Sequence, residues 1–145
     1  MILLDANLLI YAHDSESPFH EKARLWLEKA LVGTGPVAFS WLTLLAFLRI
    51  CTSPRPLRHP YTMAEVSDRL TELLEHPNAF LLHPADRHWR ILQGLLIDGQ
   101  ATGNLVMDAH LAALAIEHGA LLCTTDRDFS RFPGLRWENP LEKAT

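Results

Sequence analysis

Residues 104–129, NLVMDAHLAALAIEHGALLCTTDRDF, combine a helix, a buried strand and a pair of acids. The first half has the pattern of a helix, and Gly119 is expected to end it because glycine readily adopts the left-handed conformation found there. The apolar run ALLCTT then has the length and composition of a buried strand. Asp126 and Asp128 follow this strand directly. A solvated turn does not need two carboxylates at the end of a strand, so Asp126 and Asp128 are candidates for a functional site.

The same alternation of strands and helices extends through the rest of the chain. Further strands are predicted in MILLD, which ends on Asp5, in VAFS (37–40) and in NAFLLHP (78–84). Further helices are predicted in SPFHEKARLWLEKALV (17–32), WLTLLAFLRICT (41–52), TMAE onward to about Glu75, and ADRHWRILQGLLI (85–97). Strands that alternate with helices indicate a mostly parallel sheet between helical layers. The prediction is one α/β domain, residues 1–145, with a three-layer α/β/α architecture.

Local signals support several of these boundaries. Ser17 is a plausible N-cap with Pro18 in the first helical turn, and Thr62 with Glu65 fits a capping box. The segment SPRPLRHPY (53–61) contains three prolines and is predicted to be a loop. A short helical turn and GLRWEN (134–139) complete the pattern. No internal repeat or domain linker is evident.

Composition limits the classes of function. The chain has 145 residues, 48% hydrophobic residues and a net charge of −4, as expected of a soluble globular protein. It lacks the apolar run of about 20 residues that spans a bilayer and the pattern of a signal peptide, so a cytoplasmic protein is expected. Cys51 and Cys123 lack metal-site spacing and are expected to be reduced, packed thiols. Nucleic-acid binding would require a local basic patch or a bound cation.

Four aspartates are expected to converge. Asp5 and Asp126 each follow a predicted strand, Asp128 comes two residues later, and Asp108 lies on the helix face that carries Leu111. In parallel sheets, the functional crevice lies outside the C-terminal ends of the strands. Like charges gathered there would repel one another unless a cation lies among them. Oxygen ligands of this kind favour Mg²⁺ or Mn²⁺, which suggests phosphodiester chemistry.

These motifs resemble those of PIN-domain ribonucleases, in particular the VapC-type toxins of bacterial toxin–antitoxin pairs. The resemblance covers LLDANLLIYA, FSWLTLLAFLRICTSP, NLVMDAHLAALAIEHGALLCTTDRDF and FPGLRWENPL, in the family's order and over nearly the whole chain. It implies a metal-dependent endoribonuclease that cleaves single-stranded or loop RNA and leaves a 5′-phosphate. It also implies a homodimer and a cognate antitoxin as protein partner.

The resemblance also assigns roles to individual residues. Asp5, Asp108 and Asp126 would hold Mg²⁺ or Mn²⁺. Asp128 would be a fourth catalytic carboxylate, either behind these ligands or on a second ion. Asn7 and Thr125 would orient ligands or a water molecule.

The chain departs from the family at one position. Such proteins commonly carry a glutamate just before the Phe-x-Arg of AFLRI, where this chain has Ala46, and no acid occurs between Lys29 and Glu65. The consequence could be a single metal ion, weaker metal affinity, reliance on Asp128, or lost activity. The same acid-free window contains Arg49, Arg55 and Arg58, with His59 beside them. These basic residues are candidates for binding the RNA backbone, or else the acidic or C-terminal segment of an antitoxin. Arg49 could instead have a structural role at the end of its helix.

Two other functions remain open from the sequence. A phospho-receiver domain also gathers acids at strand ends, but it needs a pair of early acids and a late lysine that this chain lacks. A catalytically weak or inactive member of the PIN fold that binds RNA or protein is the second alternative, and Ala46 favours it. The four tryptophans, Trp26, Trp41, Trp89 and Trp137, are expected to anchor the core or an interface.

Overall fold

The fold is built on a central five-stranded sheet. A computed structural model describes residues 1–142. The strands are β1 Ile2–Leu4, β2 Val37–Phe39, β3 Ala79–Leu81, β4 Leu121–Cys123 and β5 Trp137–Glu138. They lie in the order β3-β2-β1-β4-β5, and every paired strand is parallel to its neighbour. This confirms the predicted parallel sheet; the predicted domain continues to Thr145, and its residues 143–145 lie outside the described residues.

Six α-helices connect the strands. They are α1 Ala6–His13, α2 His20–Leu31, α3 Trp41–Cys51, α4 Met63–Glu75, α5 His88–Asp98 and α6 Leu105–His118, and a 3₁₀ turn follows β4 at Arg127–Arg131. The capping box of Thr62 and Glu65 is present at the start of α4. Gly119 ends α6 with φ of 67°, as predicted. No helix in residues 1–142 is long and apolar enough to cross a membrane.

The sheet separates two hydrophobic cores. Successive side chains of a strand point to opposite faces, so Leu4, Phe39 and Cys123 pack with α1–α4 while Leu3, Ala38 and Leu122 pack with α5 and α6. Helices on both faces give the predicted three-layer α/β/α sandwich. Cys51 and Cys123 are both buried and form no disulfide, and burial raises the pKa of the Cys51 thiol to about 12.

Three local features differ from the sequence-based predictions. α1 was missed because LLI follows the apolar β1 so closely that it looks like more strand. Ser17 does not cap α2: its hydroxyl accepts a hydrogen bond from Phe19 N at 3.1 Å in a local turn, and the helix begins at His20. β5 was not predicted because it has only two residues, and its partner β4 is identified only by the folded sheet.

Candidate active site

The site lies where the sheet changes its direction of growth. The chain adds β2 and β3 on one side of β1, and then adds β4 and β5 on the other side. The helical connections therefore run in opposite directions from the boundary between β1 and β4. These two strands are neighbours, and Ile2 is paired with Leu121. Open parallel sheets have their functional crevice outside the C-terminal strand ends at such a point. Asp5 directly follows β1, and Asp126 follows β4 by three residues.

Asp5 is held by hydrogen bonds to both carboxylate oxygens. Ala6 N donates to Oδ1 at 2.7 Å, so Asp5 is the N-cap of α1, and the Thr124 hydroxyl donates to Oδ2 at 2.8 Å. Burial nevertheless raises the pKa of Asp5, and the nearby charge of Asp126 adds to this rise while the two hydrogen bonds oppose it. The carboxylate is therefore oriented by the protein in surroundings that disfavour its negative charge.

Thr124, and not Thr125, contacts the acids. Its side chain is fully buried, and its oxygen also accepts a hydrogen bond from Asp126 N at 3.0 Å. One hydroxyl thus joins the ends of β1 and β4. Thr125, the residue predicted from the sequence, lines a separate cavity with Tyr11 and Lys22. These contacts favour Thr124 for the supporting role that the resemblance gave to Thr125.

Asp108 faces the other acids from α6. Its pKa is raised to about 6, mainly by burial and also by the charges of Asp126, Asp5 and Asp128, whereas Arg131 opposes the rise. The structure therefore brings all four predicted aspartates, which we call the carboxylate site, within electrostatic range of one another. Arg131, whose guanidinium donates to Gly99 O at 3.0 Å, was not singled out from the sequence, because its position depends on the 3₁₀ turn.

Asn7 supplies a further oxygen atom. Its Nδ2 lies 3.5 Å from Asp5 Oδ2 and 3.4 Å from Thr124 Oγ1. Its Oδ1 is buried and has no hydrogen-bond partner within residues 1–142. A buried oxygen without a partner is costly, so it is well suited to a cation or to an ordered water beside the acids.

The chemistry of these residues fits a hard divalent cation, although the side chains do not form a ready ligand set. Within the described chain, no three His, Cys, Asp or Glu side chains meet as metal ligands do. Asp126 Oδ1 instead accepts a hydrogen bond from Asp128 N at 2.9 Å. The observations that favour a cation are the gathered negative charge and the oxygen donors, which are the ligands that hard divalent cations prefer.

A cleft of about 500 Å³ opens beside Asp108, between α3 and the start of α6. We call it the α3–α6 cleft, and its lining residues are Leu42, Leu45, Ala46, Arg49, Asn104, Met107 and Asp108. Ala46, at the position of the family's usual glutamate, therefore lines the same cleft as Asp108. Asn104 was not among the predicted site residues, and no motif in the sequence marks it.

The remaining basic residues have different surroundings. Arg49 lines the cleft, whereas Arg55 and Arg58 are exposed in the loop after α3. Arg127 turns away from the acids and pairs with Glu142 at 3.1 Å. A ring nitrogen of His110 lies 3.0 Å from one of His88, so His110 interacts with α5.

Comparisons with known proteins agree with this geometry. A family model described as PIN domain matches residues 2–135. Ribonuclease VapC37 from Mycobacterium tuberculosis is 43% identical over 144 residues, which are 97% of each chain. The structure of VapBC2 from Rickettsia felis bound to a promoter DNA fragment matches with a TM-score of 0.67 and 20% identity, covering 96% of this chain and 98% of that one.

A third match is the structure of VapC20 from Mycobacterium tuberculosis, described as a sarcin-ricin loop cleaving toxin. It has a TM-score of 0.62 and 20% identity, and covers 94% of this chain and 99% of that one. At such identities the two structures show that the fold is shared. The family model and VapC37 extend the similarity to the sequence of nearly the whole chain, so this chain belongs to the PIN-domain family and, within it, to the VapC ribonucleases.

Proposed function

We propose that the chain, as one domain of residues 1–145, is an endoribonuclease dependent on Mg²⁺ or Mn²⁺ and the toxin of a type II toxin–antitoxin pair. Its substrate is single-stranded or loop RNA. The observation that carries this proposal is the electrostatic proximity of Asp108 on α6 to Asp5 and Asp126, which follow the neighbouring strands β1 and β4. Relatives named as VapC ribonucleases support the same reaction.

In this proposal Asp5, Asp108 and Asp126 hold the ion, and Asp128 adds negative charge behind them. When bound, the ion supplies an activated water at neutral pH and stabilises charge on the phosphate. The protein's part is orientation: Ala6 N and Thr124 fix both oxygens of Asp5, and Asn7 Oδ1 offers a further acceptor. In the overall hydrolysis, the water oxygen bonds to phosphorus and the bond to the 3′ oxygen breaks. The products are a 5′-phosphate and a 3′-hydroxyl.

The first experiment is cleavage of a mixed pool of structured RNA by partner-free protein with Mg²⁺, with Mn²⁺ and with chelator. We expect cleavage only with metal, and a loss of at least about 100-fold in Asp126→Asn, because one ligand loses its charge. Asp68→Asn, an exposed acid on α4, is the matched control and should cleave like wild type. Cleavage in chelator, or by Asp126→Asn at the wild-type rate, would contradict the proposed mechanism.

Ala46 keeps the second function open, a catalytically weak or inactive PIN module that binds RNA or protein. Ala46→Glu distinguishes the two in the same assay, since it adds a carboxylate to the wall that contains Asp108. If wild type binds RNA without cutting and Ala46→Glu cuts, the wild-type chain is the binding module. If wild type cuts, three aspartates suffice.

We also propose a homodimer and a cognate antitoxin as partners. The outer side of α3 supports an interface, because Trp41 is 49% exposed and Leu45 is 58% exposed. Large apolar side chains exposed together are typical of protein interfaces. Solved complexes named VapBC, in which proteins of this fold occur, support the antitoxin.

A further inference from the structure

The α3–α6 cleft is formed by one stripe from each of two helices. Leu42, Leu45, Ala46 and Arg49 follow the i, i+3, i+4, i+7 spacing of one face of α3. Asn104, Met107 and Asp108 follow the i, i+3, i+4 spacing at the start of α6. The cleft is therefore a regular groove between two helices, and its wall includes one of the proposed catalytic acids. Its volume of about 500 Å³ lies within the range of small-ligand sites.

Most of the residues that line the cleft are apolar, with Arg49, Asn104 and Asp108 as its polar residues. Met107 is 57% exposed and lines the cleft together with Asp108. Ala46 lies between the two helices and leaves the space that a longer side chain would fill. Exposed apolar walls with a flexible thioether are suited to a flat, weakly polar group such as an unpaired base.

Arg49 supplies positive charge at the cleft. It is exposed, and it forms no ion pair with any carboxylate of residues 1–142. Its charge is therefore available for an anion in a chain whose net charge is −4. A guanidinium group binds phosphate oxygens with two parallel hydrogen bonds.

Asn104 adds hydrogen-bonding groups. It occupies the N-cap position of α6, where asparagine normally accepts a hydrogen bond from the helix, yet its side chain makes no capping bond. No side-chain hydrogen bond of Asn104 occurs within the described part of the chain. Its amide can therefore donate to and accept from the edge of a base.

We infer that the α3–α6 cleft is a nucleotide subsite that holds one unpaired RNA nucleotide next to the carboxylate site. The base lies against Leu42, Ala46 and Met107, a phosphate contacts Arg49, and Asn104 contacts the edge of the base. This inference rests on the proposed ribonuclease function, because a strand cut at the carboxylate site must place its neighbouring nucleotides in adjoining open space. Sequence-specific RNA recognition generally uses unpaired bases in this way.

The test measures RNA binding without cleavage. Labelled homopolymer RNAs of the four bases, about 12 nucleotides long, and an abasic strand of equal length and charge are titrated in chelator at low salt, with fluorescence anisotropy as the readout. The variants are Ala46→Leu, which fills the cleft, Arg49→Gln and Asn104→Ala. Arg90→Gln, an exposed arginine of α5 outside the cleft, is the matched control for lost charge. Thermal unfolding confirms that each variant is folded.

We expect wild type to bind its preferred homopolymer about tenfold more tightly than the abasic strand, as one stacked base would give. Ala46→Leu should remove this preference and leave abasic binding unchanged. Arg49→Gln should weaken binding of both strands by more than Arg90→Gln does, and Asn104→Ala should change the order of preference among the four bases.

An unchanged base preference in folded Ala46→Leu would overturn the subsite. The proposed function is judged separately by cleavage with metal. If wild type cleaves RNA but Ala46→Leu keeps the base preference, only the subsite is overturned. If Ala46→Leu loses the base preference but wild type does not cleave RNA, only the proposed ribonuclease function is overturned.

Discussion

Thr124 connects the two halves of the site through one oxygen atom. Its hydroxyl donates to Asp5 Oδ2 at 2.8 Å and accepts from Asp126 N at 3.0 Å, and the side chain is fully buried. Removing a hydroxyl from such a position leaves two polar groups without their partner. Thr124 is thus a positioning residue that acts on both acids at once.

We predict that Thr124→Val, which keeps the shape of the side chain, lowers the free energy of unfolding by about 1–2 kcal/mol. The pKa of Asp5 should rise further, because the hydrogen bond that opposes the effect of burial is lost. Urea unfolding measures the first effect, and the pH profile of RNA cleavage measures the second. Thr125→Val is the matched control and should change stability by less than about 0.5 kcal/mol. Equal effects of the two substitutions would contradict the assignment.

Asp108 makes folding stability depend on pH. Its carboxyl titrates near 3.8 when unperturbed and near 6 in the folded protein, so the folded chain holds this proton more tightly. The unfolded state loses its proton first as the pH rises. Asp108 therefore lowers stability between pH values of about 4 and 6, and its destabilising effect is complete above about 6.

Asp108→Asn should consequently raise the free energy of unfolding at a pH of about 7.5 by about 1 kcal/mol, a value reduced for partial solvent screening. The gain should be smaller at a pH of about 4, where the native carboxyl is already protonated. Urea unfolding in chelator at both pH values tests this, with Asp68→Asn as an exposed control. A gain that is equal at both pH values would show that burial does not raise the pKa of Asp108.

The sequence was sufficient to predict the acids but not their immediate partners. Asp5, Asp108 and Asp126 could be predicted because strand ends and helix faces have regular geometry. The choice between Thr124 and Thr125 depends on where β4 ends, and a shift of one residue reverses the direction of a side chain. The role of Arg131 depends on the 3₁₀ turn, and that of Asn104 depends on the start of α6, which has no side-chain cap. No periodic pattern in the sequence reveals either feature.

At the scale of secondary structure, elements with clear termini were the most predictable. α4 has its capping box and α6 has its terminal glycine, and both boundaries were located closely. α1 is short and mostly apolar around its circumference, so it lacks the amphipathic pattern that distinguishes a helix from a strand. β5 gains its stability from pairing with β4, a contact that is not local in the sequence.

The outer side of α3 leads to a prediction about assembly. Trp41 and Leu45 lie one helical turn apart and are both exposed, so we expect them to pack against a second copy of the chain. Trp41→Glu should convert a dimer into a monomer of 16.4 kDa by light scattering at micromolar concentration. Trp89→Glu, on the exposed side of α5, is the control and should leave the dimer intact. A wild-type monomer would remove the dimer from the proposal.

At the scale of the whole molecule, charge is unevenly distributed. The net charge is −4, yet Arg55 and Arg58 are exposed in a segment without acids. This loop follows α3, whose Arg49 lines the cleft. An RNA strand repelled by most of the surface would be attracted locally by these residues.

We predict that Arg55→Ala combined with Arg58→Ala weakens RNA binding, most strongly at low salt. Two lost phosphate contacts should make the slope of log K against log salt shallower by about 1.4, the value expected for single strands. Anisotropy titrations over a range of salt concentrations measure this slope. Arg90→Ala provides the control, and an unchanged slope in the double variant would show that the loop is merely solvated.

The hydrogen bond between Thr124 and Asp5 also determines when the site can exist during protein synthesis. It joins residues 119 positions apart, and β1 has its partner β4 at a similar separation. A nascent chain leaves the ribosome from its N terminus, so Asp5 emerges long before the strand that orients it. Every translation product that stops before Thr124 therefore lacks the assembled site. Activity that depends on this site therefore begins only with nearly finished molecules.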